Sequence, residues 1–133
     1  MKIDNILLDK LTADAKVNPR LRTNYDMRTS PSDSSQRMLN AMEPGTVVPI
    51  HRHRQTTEDV VVLRGKGIQY LYDDDGNIVD EVLLEAGTDN IMMVVEKGQW
   101  HRFEVLESGT VIFEAKDGAY VPISADDVLQ KKQ

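Results

Sequence analysis

Turn-forming residues divide the chain from Glu43 onward into short segments, and this pattern limits the fold more than any other feature. Pro44-Gly45, Asp75-Gly76 and Ser108-Gly109 belong to a series that recurs at a spacing of roughly ten residues. Short runs of β-branched or alternating apolar residues, such as 60–63, lie between these turns. Strands of this length, separated at this spacing, are typical of a β-sandwich or barrel. We therefore predict an all-β fold.

Two helices are predicted at the ends of the chain. Apolar residues recur near helical spacing over 3–17, and Pro19 ends that pattern. A short C-terminal helix is predicted over 124–130, with Ser124 as its N-cap and acidic residues in its first turn. Two strands, near 20–24 and over 36–42, are predicted before the region of regular turns.

The length of 133 residues suits a single domain, which we predict over 1–133 with its β-barrel core at about 36–116. The chain has no cysteine, which excludes disulfides, thiolate metal sites and cysteine nucleophiles. Its net charge of −6 argues against nucleic acid as a partner. No stretch approaches the roughly 20 apolar residues of a membrane span, and the N-terminal residues do not resemble a signal peptide. We expect a cytoplasmic protein without a membrane partner.

The three histidines of the chain fall into one pattern with a glutamate. His51 and His53 are two residues apart, so in an extended segment both imidazoles project from the same face. Glu58 begins the next apolar run, and His101 follows the predicted hairpin at Asp75-Gly76. Three imidazoles and one carboxylate are a suitable ligand set for one divalent ion. Zn, Fe, Mn and Ni remain open, and the metal can polarise an oxygen or lower the pKa of bound water.

A structural interpretation of the same residues competes with the metal site. In that interpretation the segment 51–54 is a solvated basic turn, Glu58 is its ion-pair partner and His101 is a core histidine. An isolated pair of histidines favours this alternative. The metal interpretation is preferred here because no histidine of the chain lies outside the pattern.

The spacing of these residues resembles the first motif of the cupin family. Gly45, His51, His53, Glu58 and Gly65 agree with that motif at each of its defined positions. The resemblance implies a double-stranded β-helix of the jelly-roll kind that binds a metal.

The second cupin motif is matched in part. Gly98 and His101 agree with its central positions. Glu96 stands where the motif has proline, Val105 stands where it has asparagine, and Gly87 is an offset counterpart of its opening glycine. These departures lie at turns and strand ends and leave the ligand in place.

More narrowly, the chain resembles the WbuC family of cupin-fold metalloproteins, which is associated with surface-polysaccharide gene clusters. Tyr25 stands where that family often has a histidine. The resemblance implies a role in carbohydrate metabolism and names no reaction. It is carried by the N-terminal helix and by the segments 18–24, 36–46, 51–53, 98–101 and 114–120.

Further residues are candidates for the wall of a substrate pocket. Arg22 and Arg37 are suited to hold an anionic substrate such as a carboxylate or sugar phosphate, and structural ion pairs are an equally open role. Tyr70 is a candidate proton donor, with packing as its alternative. Alternation along the strand predicts that Arg52 and Arg54 point away from the metal.

Two classes of function fit this sequence. The first is a metal-dependent enzyme, an isomerase, epimerase or oxygenase, that acts on a sugar or sugar-derived small molecule. The second is a non-catalytic module that uses metal and barrel to bind or sense a carbohydrate. The fold does not discriminate between them, because function depends on the site. A homodimer is expected, since the edge strands otherwise need protection.

Overall fold

The computed structural model describes residues 1–130, which form one α-helix and two five-stranded antiparallel sheets. The predicted all-β jelly roll with an N-terminal helix is thereby confirmed. The elements of this described range are α1 (Asn5–Val17), β1 (Arg22–Asp26), β2 (Gln36–Met42), β3 (Ile50–His51), β4 (Glu58–Arg64), β5 (Lys66–Tyr72), β6 (Ile78–Glu85), β7 (Met92–Val95), β8 (Trp100–Val105), β9 (Thr110–Lys116), a 3-10 turn (Ala125–Asp127) and β10 (Val128–Leu129).

Strands that are distant in the sequence are neighbours in both sheets. The first sheet has the order β1-β2-β9-β4-β7, and the second has the order β10-β3-β8-β5-β6. Every strand pair is antiparallel. Successive side chains of a strand alternate between two faces, so each strand presents one set of residues to the space between the sheets.

An apolar cluster fills one end of the space between the two sheets. Its members come from both sheets and are almost completely buried, which supplies the hydrophobic stabilisation of the fold. They are Met42, Val60, Val62, Leu84, Phe103, Val105 and Ile112. Further along β4, at Glu58, the inward-facing residues become polar and charged.

The helix α1 covers the outer face of the first sheet. Asp4 caps its N-terminus and accepts a hydrogen bond from the Leu7 amide at 3.2 Å, so the helix begins two residues later than the predicted range 3–17. Its buried positions Leu8, Leu11 and Ala15 pack in one cluster with Leu39, Ala41 and Val111 of the sheet. No helix within residues 1–130 combines the length and apolar character that a bilayer crossing requires.

The C-terminal segment differs from its prediction. The helix expected over 124–130 is reduced to the 3-10 turn at Ala125–Asp127, and the chain then continues as β10. Val128 pairs with His51 of β3, and the Asp127 carbonyl accepts a hydrogen bond from the Arg52 amide at 3.0 Å. Hydrogen bonding of this segment to β3 therefore outweighs its local preference for a helix. The first strand likewise begins two residues after the predicted 20–24, because Leu21 turns the chain with a φ of 58°.

Candidate metal centre

Strand pairing brings the three histidines together. His51 of β3 lies opposite His101 of β8, and their ring centroids are 4.3 Å apart. His53 lies two residues beyond His51, where its carbonyl accepts a hydrogen bond from the Gly98 amide at 2.8 Å. One ring nitrogen from each histidine falls within a group whose members are all within 4.8 Å of one another.

Backbone carbonyls orient two of the imidazoles. Nδ1 of His51 is 2.8 Å from the Pro49 carbonyl, and Nδ1 of His101 is 2.8 Å from the Gln99 carbonyl. Because a carbonyl only accepts hydrogen bonds, each Nδ1 carries a proton. In the neutral rings Nε2 then keeps its lone pair, which is the state a metal ligand requires.

Glu58 lies beside the histidines at the start of β4. Its side chain is 6% exposed, and its Oε2 is 2.9 Å from Nε2 of His101 and 3.9 Å from Nε2 of His53. Neither Oε2 of Glu58 nor Nε2 of His101 makes a hydrogen bond of suitable geometry within the described residues. Two lone-pair acceptors this close repel each other unless a proton or a metal ion lies between them.

The acid–base properties of the cluster reflect its burial. Burial lowers the pKa of His51 to about 4, and the charge of His101 adds to that effect. Burial likewise lowers the pKa of His53 to about 4, although the charge of Glu58 opposes it. For His101, burial lowers the pKa but contact with Glu58 outweighs it, so the pKa is raised. The raised pKa of His101 means that the negative charge of Glu58 favours a positive charge at this position.

The three histidines form a group that could hold a metal ion, and the contact of Glu58 with His101 is compatible with either a shared ion or an ion pair. Two ligand atoms that share one ion at about 2.1 Å, at right angles, are about 3 Å apart. The 2.9 Å between Glu58 Oε2 and His101 Nε2 agrees with such a pair. Nitrogen donors with one carboxylate suit Zn, Fe, Mn and Ni, so the donor chemistry leaves the metal identity open.

A cavity of about 380 Å³ adjoins the histidines. This volume lies in the range of small-molecule sites. Both sheets and the segment after β9 contribute to its wall. Besides the four predicted ligands, its polar lining comprises Arg20, Arg22, Asn24, Gln36, Asn40, Gln69, Glu114, Lys116 and Tyr120.

Among the predicted substrate residues, Arg22 lines this cavity. Its side chain is half-buried, and burial lowers the pKa of its guanidinium. Within residues 1–130 its guanidinium forms neither an ion pair nor a hydrogen bond, in contrast to Arg28, Arg37 and Arg64, although the charge of Glu114 partly opposes the effect of burial on its pKa. Its donors are therefore available to a ligand.

Arg37 and Tyr70 do not line the cavity. Arg37 forms an ion pair with Asp33 at 2.9 Å, which is the structural alternative for this residue. The guanidinium of Arg102 lies over the ring of Tyr70, 4.8 Å from the ring centroid. The physical reason is strand alternation, because their neighbours Gln36 and Gln69 occupy the inward positions.

Arg52 and Arg54 lie outside the cavity lining, as expected from the alternation. Both guanidinium groups contact Oδ1 of Asp127, at 3.0 and 2.6 Å respectively. Arg52 also stacks over Trp100, 4.3 Å from the ring centroid. These arginines hold the C-terminal segment next to β3.

Two charged residues of β9 were missed by the sequence analysis. Nζ of Lys116 is 3.7 Å from Oε1 of Glu58 and 3.6 Å from Oε2 of Glu114. Burial and the charge of Glu58 together raise the pKa of Glu114 to about 7. Alternation in β9 was the available signal, since Ile112, Glu114 and Lys116 share one face and Ile112 belongs to the apolar cluster.

Two buried amides in the cavity wall were also missed. Asn40 of β2 and Gln69 of β5 are each 1% exposed. Both amide atoms of Asn40 and Nε2 of Gln69 have no hydrogen-bond partner among the described residues. An unpaired buried polar group costs about 1–3 kcal/mol. Single polar residues within apolar strands give no sequence signal for such a pair, because it forms only when the sheets face each other.

The two facing sheets and their topology define a cupin fold, and comparison with solved structures supports this. KdgF from Halomonas sp. is similar with a TM-score of 0.62 and 15% identity, over 78% of this chain and 85% of that one. CapF in complex with 3-isopropenyl-tropolone has a TM-score of 0.65 and 23% identity, over 80% and 30%. Oxalate oxidase in complex with glycolate has a TM-score of 0.61 and 18% identity, over 77% and 54%. The chain thus spans less than two thirds of the last two proteins.

Residues 3–84 match the family described as Domain of unknown function (DUF6016), and the chain belongs to that family. No curated protein matches the sequence. The finer resemblance to WbuC stays a prediction.

Proposed function

We propose that this chain is a metal-dependent cupin enzyme that acts on an anionic, sugar-derived small molecule. His51, His53, Glu58 and His101 are the proposed ligands of one divalent ion. The observation that carries the proposal is the convergence of three imidazole nitrogens within 4.8 Å of one another, beside Oε2 of the buried Glu58, which has no hydrogen-bond partner of suitable geometry among the described residues. An ion bound there supplies Lewis-acid polarisation of a substrate oxygen.

The surroundings of Glu58 support this ligand assignment. Lys116 contacts Oε1 of Glu58, whereas Oε2 faces His53 and His101. Glu58 is thereby oriented to offer one oxygen, so that with the three imidazoles a six-coordinate ion keeps two positions open to substrate. A closed structural site would use all of its positions for protein ligands.

The positive charge of the cavity supports an anionic substrate. Arg22 has an unpaired, half-buried guanidinium, and such a group binds carboxylates and phosphates through two parallel hydrogen bonds. Arg22 is therefore the proposed anion-binding residue. Arg37 and Tyr70 take no part in this proposal, since both lie outside the cavity lining.

Two of the similar proteins support the substrate class. CapF from Staphylococcus aureus is described as a capsular polysaccharide assembling protein. Oxalate oxidase was solved with the substrate analogue glycolate, a small hydroxycarboxylate. We propose by analogy that a sugar-derived carboxylate or phosphate is the substrate here. Glu114 lies in the same cavity and is the proposed residue that transfers a proton to or from the substrate.

Elemental analysis and a turnover assay test this proposal together. The purified protein is expected to contain about one divalent ion per chain, and His51→Ala to lose most of it. Arg37→Ala, outside the cavity, is the control that keeps full occupancy. Turnover is then measured on sugar acids and nucleotide-sugars. Metal-free wild-type protein contradicts the metal site, whereas ligand binding without product across the whole panel favours the non-catalytic module.

A further inference from the structure

The amides of Asn40 and Gln69 are not explained by the folding of the chain. They lie on opposite sheets and line the same cavity. Asn40 is opposite Ile112 in the first sheet, and Gln69 is opposite Phe103 in the second. Both amides therefore adjoin the apolar cluster, where leucine of similar size would need no hydrogen-bond partner.

Strand register places this amide pair deeper in the cavity than the proposed metal ligands. Gln36 is level with Glu58 through their common partner Lys116, and Asn40 lies four residues further along β2, about 13 Å along the strand. Leu71 is opposite His101, and Gln69 lies two residues from it, about 7 Å along β5. The cavity thus has a metal-binding part near Glu58 and a neutral polar part at the amides. Arg22, which is opposite Met42, lies beyond Asn40 on the side away from Glu58.

The unpaired atoms indicate the chemistry of a ligand for this neutral part. Asn40 offers both a donor and an acceptor, and Gln69 offers a donor. A hydroxyl group donates and accepts, so it satisfies an amide with both functions free. The terminal torsions of asparagine and glutamine are soft, which lets the amides turn towards such a group at little cost.

We propose that Asn40 and Gln69 recognise the hydroxyl groups of the substrate, which is a polyhydroxylated carboxylate or phosphate. The amide pair selects for hydroxyls, while Arg22 binds the anionic group. This inference rests on the proposed function, because both concern one ligand in one cavity. It goes further in assigning two residues that determine specificity.

Matched ligands measure the selectivity directly. D-Glucuronate and quinate are six-membered-ring carboxylates with hydroxyls, and cyclohexanecarboxylate has the ring and the carboxylate without them. Calorimetry on the purified protein is expected to show at least tenfold tighter binding of one hydroxylated ligand. Asn40→Leu and Gln69→Leu are each expected to reduce this preference about tenfold, with unchanged affinity for cyclohexanecarboxylate and unchanged metal content.

Thermal unfolding without ligand provides an independent readout. Asn40→Leu and Gln69→Leu are expected to raise the midpoint by about 3 °C, because they remove buried groups without partners. Gln99→Leu is the matched control outside the cavity. Its amide donates to the Tyr72 and Trp100 carbonyls at 2.8 and 2.9 Å, so this variant is expected to lower the midpoint.

The outcomes separate this inference from the proposed function. The calorimetry is repeated in EDTA, which removes the metal. The ratio of the affinities for the hydroxylated ligand and cyclohexanecarboxylate then reports on the amides, and the change in absolute affinity reports on the metal. Selectivity that persists in EDTA and is lost in both leucine variants supports the amide pair even if the protein proves metal-free and inactive. The inference is overturned if wild-type protein shows no preference for hydroxylated ligands or binds none of them. It is also overturned if both leucine variants keep the preference, or if they lower the midpoint as Gln99→Leu does.

Discussion

The two faces of strand β2 differ in how completely their side chains are satisfied. On the outer face, Leu39 and Ala41 pack beneath helix α1, and Arg37 is paired with Asp33. On the inner face, Met38 and Asn40 line the cavity, and Asn40 has no hydrogen-bond partner among the described residues.

This difference distinguishes the part of the sheet that stabilises the fold from the part that is available to a ligand. Polar groups on the outer face have partners within the chain, so their contribution is structural. Unpaired polar groups on the inner face reduce stability, and such a cost is commonly found where a protein binds a ligand or performs chemistry.

The largest effect is expected at the histidines. His101→Ala removes one proposed ligand and the buried partner of Glu58, so metal affinity should fall more than 100-fold. Competition with a chromogenic chelator measures this change. Arg102→Ala, on the opposite face of the same strand, is the control that should retain the wild-type affinity. Equal affinities in the two variants would exclude His101 as a ligand.

The second effect concerns the outer face alone. Leu39→Ala leaves a cavity beneath α1 and should lower the free energy of unfolding by about 2–5 kcal/mol. Urea denaturation measures the loss, and elemental analysis of the folded variant should show wild-type metal content. A concurrent loss of metal would show that the two faces are not independent.

The third effect compares two arginines on opposite faces of the first sheet. Arg22→Leu should weaken the binding of cyclohexanecarboxylate about tenfold, because it removes the unpaired guanidinium of the cavity. Arg37→Leu should leave this affinity unchanged, since Arg37 is bound to Asp33. Calorimetry on both variants measures these affinities. A larger loss of affinity in Arg37→Leu than in Arg22→Leu would show that the anion binds on the outer face.

The smallest effect is expected at the start of the helix. Asp4→Ala removes the N-cap of α1 and should lower the free energy of unfolding by about 1 kcal/mol. Thermal or urea unfolding measures it, with Asp14→Ala on the exposed face of the last turn of α1 as the control, since that change leaves the N-cap intact and removes only an exposed ion pair with Lys10. No detectable difference between the two variants would indicate that tertiary packing alone holds the helix.

The sequence determined the class of fold and the composition of the candidate centre. The spacing of turns predicted the β-architecture, and helical periodicity predicted α1, because both depend on residues close together in the chain. The histidines and Glu58 were recognisable because they belong to a short motif of fixed spacing. The sequence indicated Arg22 and Arg37 alike as anion-binding candidates and did not show which of them lies in the pocket.

The set of side chains that share the cavity follows from tertiary contacts and could not be read from local sequence. Arg22 lines it and Arg37 does not, because strand pairing and register assign each residue its face. The same pairing converts the predicted C-terminal helix into a 3-10 turn and a strand beside β3. It also places Asn40 and Gln69 on opposite walls of one cavity. These outcomes depend on contacts between residues distant in the chain, on which local pattern carries no information.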